Sequence, residues 1–401
     1  MKVMRLHAIN DFRLEEIETP VPKGDEILVR IGACGICGSD IPRVYQLGTR
    51  VYPVVIGHEF SGTVCAVGNP KDEALIGKKA AIFPLIPCLE CEPCEIGQFC
   101  QCENYDYLGS RSNGGFAEYC LLPSRWHLVL AQDENIDLEA LSMCEPACVA
   151  QHALRRGNVT AGQTIAILGA GPIGIMTARW ASLFGASQII LTDIDEAKQK
   201  FAQERGFTVI NSRKENLKER IDVITNGRGV DVVIEGTGCS AGINDAIQIV
   251  RVGGTIVWLG NPHADTTIQL NVHSLLLRKE LEMHGVWNSF YAQTPINEWE
   301  YTVQMIEEGK LEVSDLITHR AGLKDLKQLF DDIQSQRYDL QGVVQCCTGC
   351  MMQSRKSIDF VQFIQDHEGE IFGKKRRITG QSYCSTYSKQ IAALDMKLNE
   401  F

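Results

Sequence analysis

Apolar and polar positions alternate in two different ways along this chain, and the change of texture divides it. Up to about residue 150 the apolar positions fall in brief runs such as 26–31 and 62–67, broken by glycine and proline. Runs bounded by turn-forming residues predict strands, so this portion reads as mostly β. From Thr164 the runs become continuous and β-branched, at 164–168, 188–191, 230–234 and 255–259. Between them lie stretches of helical period, one ending near Phe184 and another spanning 241–250. Continuous apolar runs separated by helices predict a parallel sheet covered on both faces. After about residue 284 the pattern is mixed again, and no internal repeat is present.

The segment from Gln345 onward differs from both. It carries eight Lys or Arg against six Asp or Glu and four cysteines, three of them in Cys346-Cys347-Thr-Gly-Cys350. It reads as an appended tail with helical stretches at 358–364 and near the end. At 401 residues the chain has room for two ordinary domains. Its formal charge of −11 disfavours broad attraction to nucleic acid or an anionic membrane. No run approaches the roughly 18 apolar residues of a membrane span, and Asp11 follows the start where a signal core would be apolar. The expected setting is therefore the cytoplasm, with no nucleic-acid or membrane partner. Sixteen cysteines in such a chain read as metal ligands or free thiols rather than as a disulfide framework.

Two kinds of chemistry can be read from spacing. Gly169-Ala-Gly171-Pro172-Ile173-Gly174 follows an apolar run and opens a helix, and Asp193 ends the next run nineteen residues after Gly174. The first glycine permits the turn, the second lets the backbone approach a pyrophosphate, and the third lets helix and strand pack closely. The anion then sits at a helix N-terminus. An acid at Asp193 accepts hydrogen bonds from ribose hydroxyls and repels a 2′-phosphate, which favours NAD over NADP.

The second chemistry is metal binding. Cys88, Cys91, Cys94 and Cys102 lie in a turn-rich stretch with the spacing of a closed, structural zinc tetrahedron, with Cys100 as a spare thiol beside the fourth position. Cys37, followed by Gly38-Ser39-Asp40, joins His58-Glu59 and Glu145-Pro146 in a second group. One thiolate, one imidazole and one or two carboxylates make an open mixed-ligand site with room for water or substrate.

These motifs together resemble the zinc-dependent medium-chain dehydrogenase/reductase family over about residues 1 to 345. G-A-C-G-I-C-G-S-D at 32–40, G-H-E-F-S-G at 57–62, the four-cysteine lobe, Glu145-Pro146 and the glycine motif occur in the family's order. The sequence looks most like the polyol dehydrogenases. Within them, the stretches 38–43, 52–53, 105–111, 114–119, 277–281, 287–288 and 298–300 are similar to enzymes of phosphorylated polyols. The resemblance implies an α/β chain with a mostly β, GroES-like catalytic domain at 1–152, completed by 285–345. It implies a Rossmann NAD-binding domain at 153–284, with 346–401 as an extension that has no counterpart.

Residue by residue, the resemblance implies Cys37, His58 and Glu145 as ligands of a catalytic zinc. Glu59 would be a ligand exchanging with water or a partner behind the ligands, and Ser39 would contact the substrate oxygen and start a proton relay. A histidine frequent three residues after that serine is replaced here by Pro42, so water or Glu145 would carry the proton onward. The implied reaction is oxidation of a secondary alcohol on a polyol phosphate to a ketose phosphate, with NAD as hydride acceptor. Arg43 and Arg111 are candidate phosphate anchors, because guanidinium matches that anion best. Tyr45, Trp287 and Asn288 are candidate linings of the polyol pocket. A homodimer or homotetramer joined through the cofactor domain is also implied. The competing readings are a sorbitol-type free-polyol dehydrogenase, an inactive zinc-bearing scaffold, and a redox protein using Cys347 and Cys350.

Overall fold

The computed structural model describes residues 1–292 and 296–335, together with the backbone of 343–346. The expected helical stretches of the tail and the Cys347–Cys350 pair lie outside the described residues, while Cys346 closes the strand Val343–Cys346.

The first part of the chain, joined by two strands from beyond residue 318, builds a mixed sheet. Its strands run in the order Leu128–Leu130, Lys79–Ile82, Glu59–Val67, Ile27–Gly35, Val343–Cys346 and His319–Ala321, with Tyr119–Leu122 also paired to Ile27–Gly35. The neighbours Ile27–Gly35 and Glu59–Val67 are antiparallel, with Gly35 opposite Glu59 and Cys34 opposite Phe60. A smaller sheet of Asp11–Glu16, Lys2–Ala8 and Val54–Val55 lies beside it. Their inward side chains, among them Leu6, Phe12, Val29, Ile31 and Phe60, form one core with Phe116 and with Phe330 of the helix Leu326–Gln334.

The second part is a six-stranded sheet in the order Thr208–Ile210, Gln188–Thr192, Thr164–Leu168, Val230–Glu235, Val250–Trp258 and Glu282–Gly285. All its pairings are parallel. The order reverses between Thr164–Leu168 and Val230–Glu235, the switch point at which doubly wound sheets open a crevice. Ile165, Ile167, Val232 and Ile234 pack on one face and Ala166, Leu168, Val233 and Ile256 on the other, which is why these strands read as unbroken apolar runs. The fourth apolar run is longer than its sequence pattern suggests. The strand begins at Val250, and glycines 253 and 254 interrupt the hydrophobic signal where its pairing register shifts.

The helix Cys144–Arg156 joins the two parts. Ala147, Cys148, Ala150, Ala153 and Leu154 are fully buried, in one cluster that also holds Phe83 and Leu85 of the mixed-sheet part and Ile165 and Trp180 of the parallel part. Trp180 donates its indole N–H to the Ala147 carbonyl at 3.0 Å. Glu145 lies in the first turn and Arg155 and Arg156 in the last, both in the sense the helix dipole favours. A carboxylate is thereby fixed at the junction.

Candidate active site

Strand ends bring the mixed-ligand group together. Cys37 follows the strand Ile27–Gly35, while Glu59 begins the adjacent strand with His58 just before it. One ligand atom from each of Cys37, His58 and Glu59 lies within 4.8 Å of the others. The register leaves space for the carboxylate: a Cβ at Gly35 would meet Glu59 Oε2 at 2.3 Å. His58 and Glu59 are buried.

Burial raises the Cys37 thiol to about 11, assisted by the negative charges of Asp40 and Glu145 and opposed by hydrogen bonds from Ser39. Glu59 is raised well above the carboxylate range by burial, then by Cys37 and Glu145, with His58 opposing. Glu145 is raised by burial as well. A half-buried sulfur pressed against a buried imidazole and carboxylate in this way suits a divalent cation, which offsets their mutual repulsion and desolvation. His58 Nδ1 is a buried polar atom without a hydrogen bond. It faces Asp40 Oδ1 at 3.7 Å. The donor set therefore fits zinc.

Glu145 does not enter that group among the described residues. Its Oε1 instead accepts a hydrogen bond from the Tyr107 hydroxyl at 3.3 Å. Ser39 is exposed beside Cys37, next to the buried Asp40. Asp40 accepts from the Cys37 backbone N–H at 3.1 Å and pairs with Arg43. Asp40 and Tyr107 are the participants that spacing alone did not single out. Asp40 carried a signal, lying three residues after Cys37 inside the quoted motif, and Tyr107 lies inside the quoted stretch 105–111, but only tertiary folding brings it to Glu145.

The four sulfurs of Cys88, Cys91, Cys94 and Cys102 likewise lie within 4.8 Å of one another. Cys88 N–H donates to Cys102 Sγ at 3.2 Å, and Cys91 and Cys102 sulfurs are 3.8 Å apart. Cys100 stays out of the group and donates its S–H to the Ser289 carbonyl at 2.6 Å.

The glycine motif connects the strand Thr164–Leu168 to the helix Pro172–Leu183. A Cβ at Gly174 would sit 2.0 Å from the Gly169 carbonyl oxygen, so the close approach of helix to turn requires glycine. A Cβ at Gly171 would meet nothing within 4 Å, leaving open space before the helix N-terminus. Pro172 and Ile173 form the first turn and need no partner for the missing proline N–H. Asp193 follows the next strand; its Oδ2 accepts from Ala170 N–H at 2.8 Å and its Oδ1 from Asp195 N–H at 2.9 Å.

The pocket-lining candidates scatter more. Arg43 is committed to Asp40. Arg111 donates to the Tyr105 carbonyl and stacks 3.8 Å above the Tyr105 ring. Tyr45 donates to Asp331 Oδ1 at 2.6 Å. Trp287 is 54% exposed. Asn288 donates its amide to the Tyr107 hydroxyl at 3.0 Å.

The alcohol dehydrogenase GroES-like domain family matches residues 23–133, and the zinc-binding dehydrogenase family matches 172–308. Galactitol 1-phosphate 5-dehydrogenase of Escherichia coli K12 is 32% identical over 80% of this chain and 92% of its own length. Sorbitol dehydrogenase of Bacillus subtilis is 31% identical over 82% and 93%. The crystal structure of galactitol-1-phosphate dehydrogenase from Escherichia coli aligns with a TM-score of 0.81 and 30% identity, covering 86% of this chain and all of that one. A structure described as a candidate zinc-binding dehydrogenase from Sinorhizobium meliloti 1021, bound to NADP, aligns with a TM-score of 0.78 and 27% identity over 86% and 98%. With a GroES-like domain, a doubly wound parallel sheet and these relatives, the chain belongs to the zinc-type alcohol dehydrogenases, in their polyol dehydrogenase branch.

Proposed function

We propose that this protein oxidises a secondary alcohol of a polyol phosphate to the corresponding ketose phosphate, using zinc and NAD. The observation that carries the proposal is the convergence of Cys37, His58 and Glu59 within 4.8 Å of one another, in a chain that also has the glycine turn of a parallel-sheet cofactor domain. In this reading residues 1–152 with 285–345 form the catalytic domain, 153–284 hold the dinucleotide, and 346–401 are appended. Each chain carries one catalytic zinc and one structural zinc.

Cys37, His58 and Glu59 would hold the catalytic ion, with Glu145 beside them, and Cys88, Cys91, Cys94 and Cys102 the structural one. When bound, the catalytic ion supplies Lewis acidity toward an alcohol oxygen and the dinucleotide supplies the ring that accepts hydride. The reaction converts a secondary alcohol and NAD⁺ to a ketone, NADH and one proton. Ser39, exposed beside Cys37, takes that proton from the alcohol and passes it to solvent water. Pro42 offers no hydrogen-bonding side chain for a longer relay. Gly169 makes the turn, Gly171 leaves room for the pyrophosphate at the helix N-terminus, and Gly174 lets the helix approach the turn. Asp193 would accept from the ribose hydroxyls and repel a 2′-phosphate.

The phosphate in the substrate rests on similarity to galactitol 1-phosphate 5-dehydrogenase, with Arg43 and Arg111 as its candidate anchors. A free polyol is the second reading, favoured by the engagement of both guanidinium groups with Asp40 and Tyr105. Tyr45, Trp287 and Asn288 would border the pocket. We assign the protein to the cytoplasm; among the described residues no helix is long and apolar enough to cross a membrane. A homodimer or homotetramer is supported by Glu282–Gly285 at the end of the parallel sheet and by Leu270 and Leu277, 87% and 72% exposed.

The test is NADH formation at 340 nm by zinc-replete protein, comparing galactitol 1-phosphate with galactitol, sorbitol and xylitol. Preference for the ester supports the proposal. Preference for a free polyol retains the zinc site and removes the phosphate, and no turnover on any alcohol rejects the enzymatic reading.

A further inference from the structure

Glu145 is buried at the N-terminus of its helix, close enough to influence Cys37 and Glu59 electrostatically, yet outside the group those residues form with His58. Something has to hold it there. Its Oε1 accepts from the Tyr107 hydroxyl at 3.3 Å, and that hydroxyl accepts from Asn288 Nδ2 at 3.0 Å. A phenol has one proton. Because Asn288 occupies the oxygen as a donor, the proton of Tyr107 is free to be directed at Glu145.

The orientation of Asn288 is itself determined. The Ser289 hydroxyl donates to Asn288 Oδ1 at 3.2 Å, which points Nδ2 toward Tyr107. Ser289 is anchored on both sides: Trp299 Nε1 donates to its hydroxyl at 2.9 Å and Cys100 to its carbonyl at 2.6 Å. Asn288 has a φ of 62°, a left-handed conformation that asparagine tolerates better than most residues. It follows the strand Glu282–Gly285 of the parallel sheet by three residues. Tyr107 is buried, with its ring set edge-on to His58 at a centroid separation of 5.7 Å.

We infer that Tyr107, oriented by Asn288, is a positioning residue that holds the Glu145 carboxylate away from the Cys37–His58–Glu59 group and so keeps a coordination position available to substrate. The inference rests on the reading of that group as the catalytic zinc site. It also makes the exit from the cofactor sheet a mechanical neighbour of the metal site, through three side chains.

Replacing Tyr107 by phenylalanine removes the hydroxyl and keeps the ring against His58. The freed carboxylate then moves onto the cation. The measurements are zinc release to a chelator, the visible d–d absorption after cobalt replaces the catalytic zinc, and steady-state kinetics. The expected result for Tyr107→Phe is zinc release slowed about threefold or more, an altered cobalt spectrum, and kcat/KM lowered about tenfold. Asn288→Gly, which suits the left-handed backbone, should shift all three in the same direction by less. In a Glu145→Gln background Tyr107→Phe should change neither release nor spectrum further, because the coupling runs through the carboxylate.

Two zinc ions in the unaltered protein, together with unchanged release and spectrum in Tyr107→Phe, overturn the positioning role and leave the zinc site standing. Faster release in Tyr107→Phe, or an equal effect in the Glu145→Gln background, overturns it as well. Cobalt and zinc binding only to the four-cysteine lobe overturns the zinc site and the positioning role together.

Discussion

The Asp40 carboxylate lies 3.7 Å from His58 Nδ1, and both side chains are withdrawn from solvent. The separation is too long for a hydrogen bond, so the pairing is electrostatic. A negative charge close behind a metal-binding imidazole favours the positive charge that the ring shares with the metal, and loss of such partners typically weakens metal binding 10- to 100-fold. Asp40→Asn keeps the shape and removes the charge. Its expected effect is zinc binding about tenfold weaker at the Cys37 site, with the lobe zinc retained. Competition against a graded series of chelators measures this, and an unchanged affinity would mean that Asp40 serves only the backbone N–H of Cys37 and the side chain of Arg43.

In the four-cysteine lobe, Cys94 and Cys102 are buried while Cys88 and Cys91 are partly exposed. A closed tetrahedron of thiolates ties together a stretch with little apolar core of its own. Cys94→Ser should bind one zinc fewer per chain, lower Tm by about 5 °C, and open the 88–102 stretch to protease. Cys100→Ser should leave the zinc content at the unaltered value, because that thiol is turned to the Ser289 carbonyl. Equal zinc loss in both variants would put Cys100 among the ligands.

These two sites were legible to different degrees, for a physical reason. The lobe and the glycine turn are written in local spacing, where ligands or turn residues are a few positions apart. The runs 164–168 and 230–234 were legible because strands buried on both faces must be apolar throughout. The Cys37 group joins residues twenty-one positions apart, and only strand pairing of Gly35 with Glu59 closes the gap. Tyr107, Asn288 and Glu145 come from three separate segments. Family motifs singled out Glu145, Asn288 and the stretch 105–111 that holds Tyr107, but nothing in their spacing shows that the three side chains bond in series until the hydrogen bonds are traced. Arg43 shows the reverse: its position beside an active-site motif suggested an anion anchor, yet the buried Asp40 claims its charge.

Asp193 holds two backbone N–H groups, one from Ala170 in the glycine turn and one from Asp195. Its carboxylate therefore shapes the turn, and in the proposed function it would also present negative charge toward a ribose. Asp193→Asn retains one acceptor oxygen and removes the charge. The ratio of kcat/KM for NADP to that for NAD should rise about tenfold. An unchanged ratio would place the discrimination elsewhere and leave Asp193 with a structural role.

Stability should fall in mild acid because of His127. This side chain is 2% exposed, and its Nδ1 lies 2.9 Å from the Phe83 carbonyl oxygen, where a neutral ring donates its N–H. Burial lowers its pKa to about 4 from the ordinary 6.5, with the Phe83 hydrogen bond opposing. Between those values the unfolded chain binds the proton and the folded one does not, so protonation favours unfolding. The stabilisation is fully present above about pH 6.5 and is lost as pH falls toward 4, to a maximum of about 3 kcal/mol. His127→Gln replaces the imidazole by a donor that does not titrate. It will be less stable at pH 7 through imperfect packing, but its urea midpoint should fall less between pH 7 and 5 than that of the unaltered protein. Parallel declines in the two proteins would assign the acid sensitivity to other groups.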